Sequence, residues 1–488
     1  MIFLPIAVLL YYKIPQKWQK AYLLIISLYV YACFDVRAVA FLLIAIASGF
    51  ISAKIIDSRR GKQRKNALVL CVLINAAMLI FFKYSNFAIE TFNGICAMLG
   101  VDFAAKKLSL IAVTGISFFT FQTIGYVADV YNKKIPAETN LLDYSLFIAF
   151  FPHIVAGPIS RGGSLLPQMK TPHEFDYGGA VKGLQLMALG FFKKVAVADV
   201  LAMMISAVFN DISSYSALML IAAAMAYAFQ LYTDFSGYSD IARGCAKVLG
   251  FDIIENFNTP FLAGSFKEFW NRWHISLSSW FGSYIYIPLG GSRKGLAKKY
   301  INLAVVFLVS GLWHGSSWNF VIWGALHGIF RIGEEALTRK SRFMQKTGGL
   351  RYLLGVIYVF AGWSFTMIFF RADTVQNAMS YISGLAGSYS PAVFVSDLFR
   401  AVGTGFDFTP ILIFGYIAYI VLVLGITVAM DFYRCFALKG SCLTNIFGKI
   451  PQPVRLLCYY ALIGLIMAGF IMQNGGYGAS ASFIYANF

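Results

Sequence analysis

Residues 308–328, LVSGLWHGSSWNFVIWGALHG, are apolar enough to lie in a lipid bilayer, yet they hold two of the chain's five histidines. An ionisable side chain inside a membrane is costly and marks a functional position by default. His314, between Trp313 and Gly315, is the foremost candidate. Desolvation lowers the pKa of an imidazole, so it stays neutral at pH 7 and can take a proton from a hydroxyl. The chemistry this suits is general-base activation of an alcohol. A histidine bonded to a backbone carbonyl in a tight turn is the structural alternative, and it weighs more for His327 on the following segment.

His274, beside Trp273, either faces a cavity or anchors a helix at an interface. Trp270, Trp273, Trp280, Trp313 and Trp318 line a substrate tunnel or act as ordinary interfacial anchors, and Asn271 between the first two is a further lining candidate. In LYTDFSGYSDIARG (231–244), Asp234 is a candidate lining residue, while Asp240 and Arg243 suit an ion pair at i, i+3. In GFFKKVAVADVLA (190–202), snorkelling explains Lys193 and Lys194 as well as function does, with Asp199 nearby. His153 precedes a Gly157-Pro158 break that reads as a lid or a turn. There is no P-loop, dinucleotide fingerprint, GxSxG elbow or HExxH, which argues against ATP-driven transport and against serine or zinc hydrolysis. The seven cysteines are scattered without a CxxC pair, so neither a disulfide framework nor a metal site is assigned.

The elements that must position these residues are membrane helices. The chain is 59% hydrophobic, 17% aromatic and only 13% charged, with a mean hydropathy of +0.69, far from a soluble domain. Apolar stretches at 1–12, 21–35, 37–56, 67–82, 108–127, 141–157, 181–209, 214–232, 301–313, 316–332, 350–370, 409–430 and 455–473 predict an all-α polytopic protein. At roughly 20 apolar residues per span, they make about ten to thirteen membrane segments. The first stretch has no basic region before it and no small-residue cleavage site after it, which reads as a retained segment. No internal repeat or long linker is visible, so residues 1–488 are taken as one domain.

Forty Lys and Arg against 22 Asp and Glu give a net charge of +18, but the basic residues gather in short loops between spans. That is the positive-inside pattern rather than a nucleic-acid surface. Clusters at Lys13, Lys17 and Lys20, at 58–65, at 292–299 and at 339–346 mark the cytoplasmic side. The last two bracket the histidine stretch, which must leave near Tyr300, turn near HGSSWN and return by Arg339. At about 1.5 Å per residue, His314 then lies roughly 20 Å from the cytoplasmic end.

Upstream, residues 258–291 are too polar and too broken by Gly and Pro to span. Ser265 and Glu268 form a capping box that starts a helix there. Phe266, Phe269, Trp270, Trp273, Leu277, Trp280, Phe281 and Tyr284 then fall on one face, as in an in-plane or re-entrant amphipathic helix. Irregular backbone at membrane depth needs a protein or water-filled surround, so a central cavity beside this helix is expected.

YTDFSGYSDIARGCAKVLGFDIIENFNTPFLAGSFKEFWNRWHISLSSWF, YIYIPLGGSRKG and SGLWHGSSWNFVIWGALHG together resemble the membrane-bound O-acyltransferase family, and within it the bacterial alginate O-acetyltransferase branch. GFFKKVAVAD and FFPHIVAGPISR agree, so the resemblance is strong over about residues 110–335. It implies that the Leu-Trp-His-Gly histidine, His314, is catalytic and that His274 is the histidine of the Trp-His-Ile-Ser-Leu-Ser motif. It also implies acyl transfer, acetyl in this branch, from a cytoplasmic acyl-CoA or carrier thioester that is a co-substrate rather than a bound cofactor. The acceptor would be an exported polysaccharide or a relay protein, and the location a bacterial cell membrane. Where the branch has Arg-Asp after the Ser-Trp-Phe stretch, this chain has Gly282 and Ser283, which bears on partner and substrate. D-alanyl transfer to teichoic acid is the related alternative. A transporter or channel with an ion path through Asp234, Lys194 and His314 is the alternative from another class.

Overall fold

The structure, a computed structural model, describes residues 3–341, 349–403, 410–447 and 450–474. The described residues form helices joined by turns and contain no strand. Among the described residues, seven helices are long and apolar enough to cross a membrane: Ala38–Ser58, Gly61–Met98, Ala217–Val248, Leu296–His314, Gly349–Arg371, Pro410–Ala437 and Gln452–Gln473. This is the polytopic all-α architecture that hydropathy predicts. Several of the other apolar stretches make shorter helices. The stretches at 21–35, 108–127 and 141–157 become Gln16–Ala32, Ile116–Tyr131 and Leu141–Ala149, of 17, 16 and 9 residues.

Helix packing inside a membrane relies on close contact rather than on the hydrophobic effect, and small residues permit it. Two compact units result, one comprising the residues up to Leu184 with Ala242–Ile254, the other Gln185–Ile241 with the residues from Glu255 onward. In the first, a side chain on Gly183 would meet the carbonyl of Gly244 at 2.7 Å, so glycine lets Tyr177–Phe191 and Ala217–Val248 touch. In the second, a Cβ on Gly190 would lie 2.6 Å from the Gly237 carbonyl, and one on Gly237 would lie 2.7 Å from the Gly190 carbonyl.

The Lys-Lys segment of the second unit forms a π-helical turn, Phe192–Ala198, between the α-helical ends Phe191 and Asp199. It is held by ion pairs: Lys193 meets Asp240 at 2.7 Å, and Lys194 meets Asp199 at 2.7 Å as well as Asp234. Both lysines are therefore paired in the interior and do not snorkel to a surface. A lysine or aspartate left alone there would be expensive, and the mutual pairing offsets that cost.

The sequence predicts one amphipathic helix from Ser265 to about Tyr284, and the structure breaks it. Phe266–Arg272 ends at Trp273, His274 adopts a left-handed backbone with φ +43°, and Ile275–Phe281 follows, closed by a π turn Gly282–Tyr286. Asn256, in the irregular segment before this helix, holds the break. Its carbonyl accepts the Ile275 N–H at 3.0 Å and its side-chain oxygen accepts the Ser276 N–H at 3.1 Å. Asn258 donates its N–H to the Arg272 carbonyl at 2.9 Å. The capping box is present with one shift, since Ser265 Oγ accepts the Glu268 N–H at 3.1 Å while the Glu268 carboxylate takes the Gly264 N–H at 2.7 Å.

Candidate active site

His314 is the last residue of Leu296–His314, and the chain turns through Gly315 to Ser317 before Trp318–Lys340 begins. The predicted turn at HGSSWN is therefore present. The two helices approach closely because both contact positions are glycine. A Cβ on Gly311 would lie 2.2 Å from the Phe320 carbonyl, and one on Gly324 would lie 2.4 Å from the Phe307 carbonyl. Gly311 is three residues before His314, so this crossing fixes the imidazole's height and its rotation about the helix axis. At the other end of the pair, Glu335 gathers Lys299, Arg331 at 3.2 Å and Arg339 at 3.1 Å. The basic cluster at 339–346 extends beyond the described residues after Ser341.

Around His314 the walls are aromatic. Its ring lies 4.9 Å from Trp323, 5.5 Å from Phe370 and 5.0 Å from Trp313, all near edge-to-face. Trp313 also packs 5.8 Å from His274, so the two imidazoles share one indole. His274 is fully buried, rests edge-on against Phe235 at 4.7 Å, and neither of its ring nitrogens has a hydrogen-bond partner among the described residues. Burial pushes its pKa down to about 3, so it is neutral at physiological pH and carries one ring N–H for donation. A neutral imidazole of this kind suits an electrophile or oxyanion donor better than a cation would.

His327 occupies the same aromatic block, 4.5 Å from Trp323 and 5.3 Å from Trp363. Its Nε2 lies 3.1 Å from Thr366 Oγ1, whose own proton goes to the Trp363 carbonyl at 2.7 Å. The Thr366 oxygen must then accept, which places the His327 proton on Nε2. The partner of His327 is thus a threonine hydroxyl on another helix, where the sequence suggested a backbone carbonyl in a tight turn. Trp273 packs 4.5 Å from Trp363 and 5.0 Å from Phe257.

The structure therefore brings His314, His274 and Trp313 together, with Trp273 in the adjoining block. Asn271 is exposed on its helix. Asp234 precedes Phe235, the ring against His274, but its own carboxylate belongs to the Lys194 ion pairs. His153 is buried in the other unit.

Several residues that hold the site were not singled out from sequence. Trp323 could have been, because it precedes His327 by one helical turn on the same face. Glu334 caps Phe266–Arg272 from another helix, accepting the Phe266 N–H at 2.8 Å and the Lys267 N–H at 3.1 Å. Asn319 donates to the Ala372 carbonyl at 2.6 Å and ties the start of its helix to the end of Gly349–Arg371. Asn256, Glu334 and Phe370 give no local signal, since their partners are far away in the chain.

Comparison with known proteins gives several matches. The family model for membrane-bound O-acyltransferases matches residues 133–372, a range that contains both imidazoles and Phe370. A probable alginate O-acetylase of Pseudomonas putida is 37% identical over 442 residues, 89% of this chain and 86% of that protein. A peptidoglycan O-acetyltransferase of Helicobacter pylori is 34% identical over 79% of this chain and 78% of its own length. A teichoic acid D-alanyltransferase of Streptococcus thermophilus is 27% identical over 49% of this chain and 60% of its own.

Proposed function

We propose, from the premise that the chain belongs to the membrane-bound O-acyltransferase family, that it moves an acetyl group from a cytoplasmic thioester to a hydroxyl of an exported polysaccharide, with His314 at the reacting centre. The observation that carries the reading is the pair of buried imidazoles packed on Trp313 in an aromatic surround. Such a surround excludes water, which would otherwise hydrolyse the thioester, and strengthens each polar contact within it.

In this reading His314 takes the proton of the acceptor hydroxyl as its oxygen attacks the thioester carbonyl carbon. The C–O bond forms, the carbonyl becomes an oxyanion, and the His274 N–H donates to it. Collapse breaks the C–S bond, and the proton held by His314 passes to the departing thiolate. The balance needs no further reactant. Acceptors of this type are what the P. putida and H. pylori relatives are named for, alginate and peptidoglycan. They favour acetyl over D-alanyl transfer here, since the D-alanyltransferase match is shorter and weaker.

The test is to feed labelled acetate to cells expressing the wild type or His314→Ala at equal membrane abundance, and to count base-labile label on exported polysaccharide. The variant should lose the label to the background of cells lacking the protein. Equal labelling in both would remove His314 from the chemistry. Membranes supplied with labelled acetyl-CoA then separate coenzyme A from a carrier protein as donor.

A further inference from the structure

Late in the chain, the helix Pro410–Phe432 ends in a π turn, Tyr433–Ala437, and Arg434 in that turn reaches back to the segment that shapes the site. Its side chain is buried, and its guanidinium straddles Asn256. Nη1 donates to the Phe257 carbonyl at 3.2 Å, and Nη2 meets the Glu255 carboxylate at 2.7 Å. Nη2 also donates to the Gly440 carbonyl at 3.2 Å, while the Gly440 N–H returns to the Arg434 carbonyl at 2.9 Å. Gly440, at φ +84°, rests against Asn258, where a Cβ would come within 2.9 Å of Nδ2. One turn of a late helix thus grips the chain on both sides of Asn256.

A buried guanidinium is expensive to desolvate, and exchanging a buried ion pair for apolar packing is often neutral or stabilising. Stability alone therefore does not call for an arginine here. What arginine supplies is direction, because its rigid planar fork holds two acceptors at fixed angles, which the point charge of a lysine does not. The two acceptors flank the residue whose carbonyl and side chain take the Ile275 and Ser276 N–H groups and sustain His274 at φ +43°. Phe257 fixes the same place from the side. Its ring lies 5.0 Å from Trp273 and 5.0 Å from Phe235, the ring that rests against His274.

We infer that Arg434 is a positioning residue for acyl transfer, setting the angle of the His274 imidazole through Glu255, Asn256 and Phe257. The inference rests on the proposed reading in which the His274 N–H meets the oxyanion. Arg434 acts on the reaction only through that histidine.

Arg434→Lys keeps a positive charge beside Glu255 and gives up the fork. Wild type and variant, full length and in nanodiscs, are compared by hydrogen exchange with mass spectrometry over the peptide that holds Ile275 and Ser276. Exchange there should quicken about tenfold in the variant, roughly the effect of one lost hydrogen bond to a charged group, and the peptide around Gly311 should not change. Cells fed labelled acetate, with the protein at equal and limiting abundance, should label exported polysaccharide about tenfold more slowly with Arg434→Lys. In a His274→Ala background the same substitution should change the rate less than about twofold, because the donor it positions is gone, whereas independent damage would multiply. Glu255→Ala, at the more exposed end of the pair, should show the same pattern. Arg400→Lys, at the Asp397 ion pair on Pro391–Gly403, is the control and should match the wild type in both measurements. Unchanged exchange at Ile275 and Ser276, or a full tenfold loss in the His274→Ala background, would overturn the inference and leave the acyl-transfer reading standing. Equal labelling by His274→Ala and wild type would instead remove the reading on which it rests, whatever the exchange shows.

Discussion

His274 holds its imidazole on a backbone angle, φ +43°, that a residue with a Cβ adopts only at a cost. Asn256 sustains the angle by taking the two N–H groups that follow. Asparagine tolerates this region better than most residues and carries an N–H of its own. His274→Asn should therefore fold and keep part of the activity, whereas His274→Ala should lower kcat by about 10²-fold, the usual cost of a lost oxyanion donor. Equal activity in Ala and wild type would place His274 outside the reaction. The same residue sets a pH dependence. Its pKa falls from 6.5 in the unfolded chain to about 3 in the fold, because burial opposes the charged form. Between those values the unfolded state binds a proton that the folded state refuses, so acidification from pH 6.5 towards 3 removes stability. Melting temperature against pH in detergent should fall less steeply over that range for His274→Asn than for the wild type. Parallel curves would mean that the imidazole titrates alike in both states.

Among elements, the hairpin of Leu296–His314 and Trp318–Lys340 decides where His314, the proposed base, sits. Gly311→Ala puts a methyl 2.2 Å from the Phe320 carbonyl, which cannot yield without moving its helix. The expected result is a protein that still inserts but transfers acetyl about 10²-fold more slowly, since a shift near 1 Å at a reacting group costs that much. Gly333→Ala, on the same hairpin with open space around it, should be silent, and a similar loss in both would point to general helix damage. This hairpin was readable in the sequence, because apolar runs, flanking basic clusters and the Gly-Ser-Ser turn are local properties. The start of the next element was readable too, through Ser265 and Glu268. Its break at His274 was not, because it depends on Asn256, and hydrophobic spacing alone carries a helix straight through. Likewise the residues at 190–202 show two lysines in an apolar run, but not the π turn or the carboxylates Asp234 and Asp240 that answer them. Periodicity reports which face is apolar. It does not report which remote polar group will claim a backbone N–H.

For the molecule in its membrane, the excess of 40 basic over 22 acidic residues is a statement about orientation. The basic run at 58–65 and the start of Leu296–His314 should share the cytoplasmic face, and the Gly315–Ser317 turn should approach the opposite one. The acyl-transfer reading needs this arrangement, for it lets a cytoplasmic thioester and an external hydroxyl reach one imidazole from opposite sides. Single cysteines at Lys62, Lys298 and Ser317, in a background where the seven native cysteines are replaced, should report it with a membrane-impermeant maleimide. Ser317→Cys should react in intact spheroplasts, whereas Lys62→Cys and Lys298→Cys should react only in inverted vesicles. If all three react from one face, Leu296–His314 does not cross and both substrates must arrive from the same side. If the pattern is reversed, the donor would have to come from outside the cell, where coenzyme A thioesters are not supplied, and the proposed direction of transfer would fail even with His314 in place.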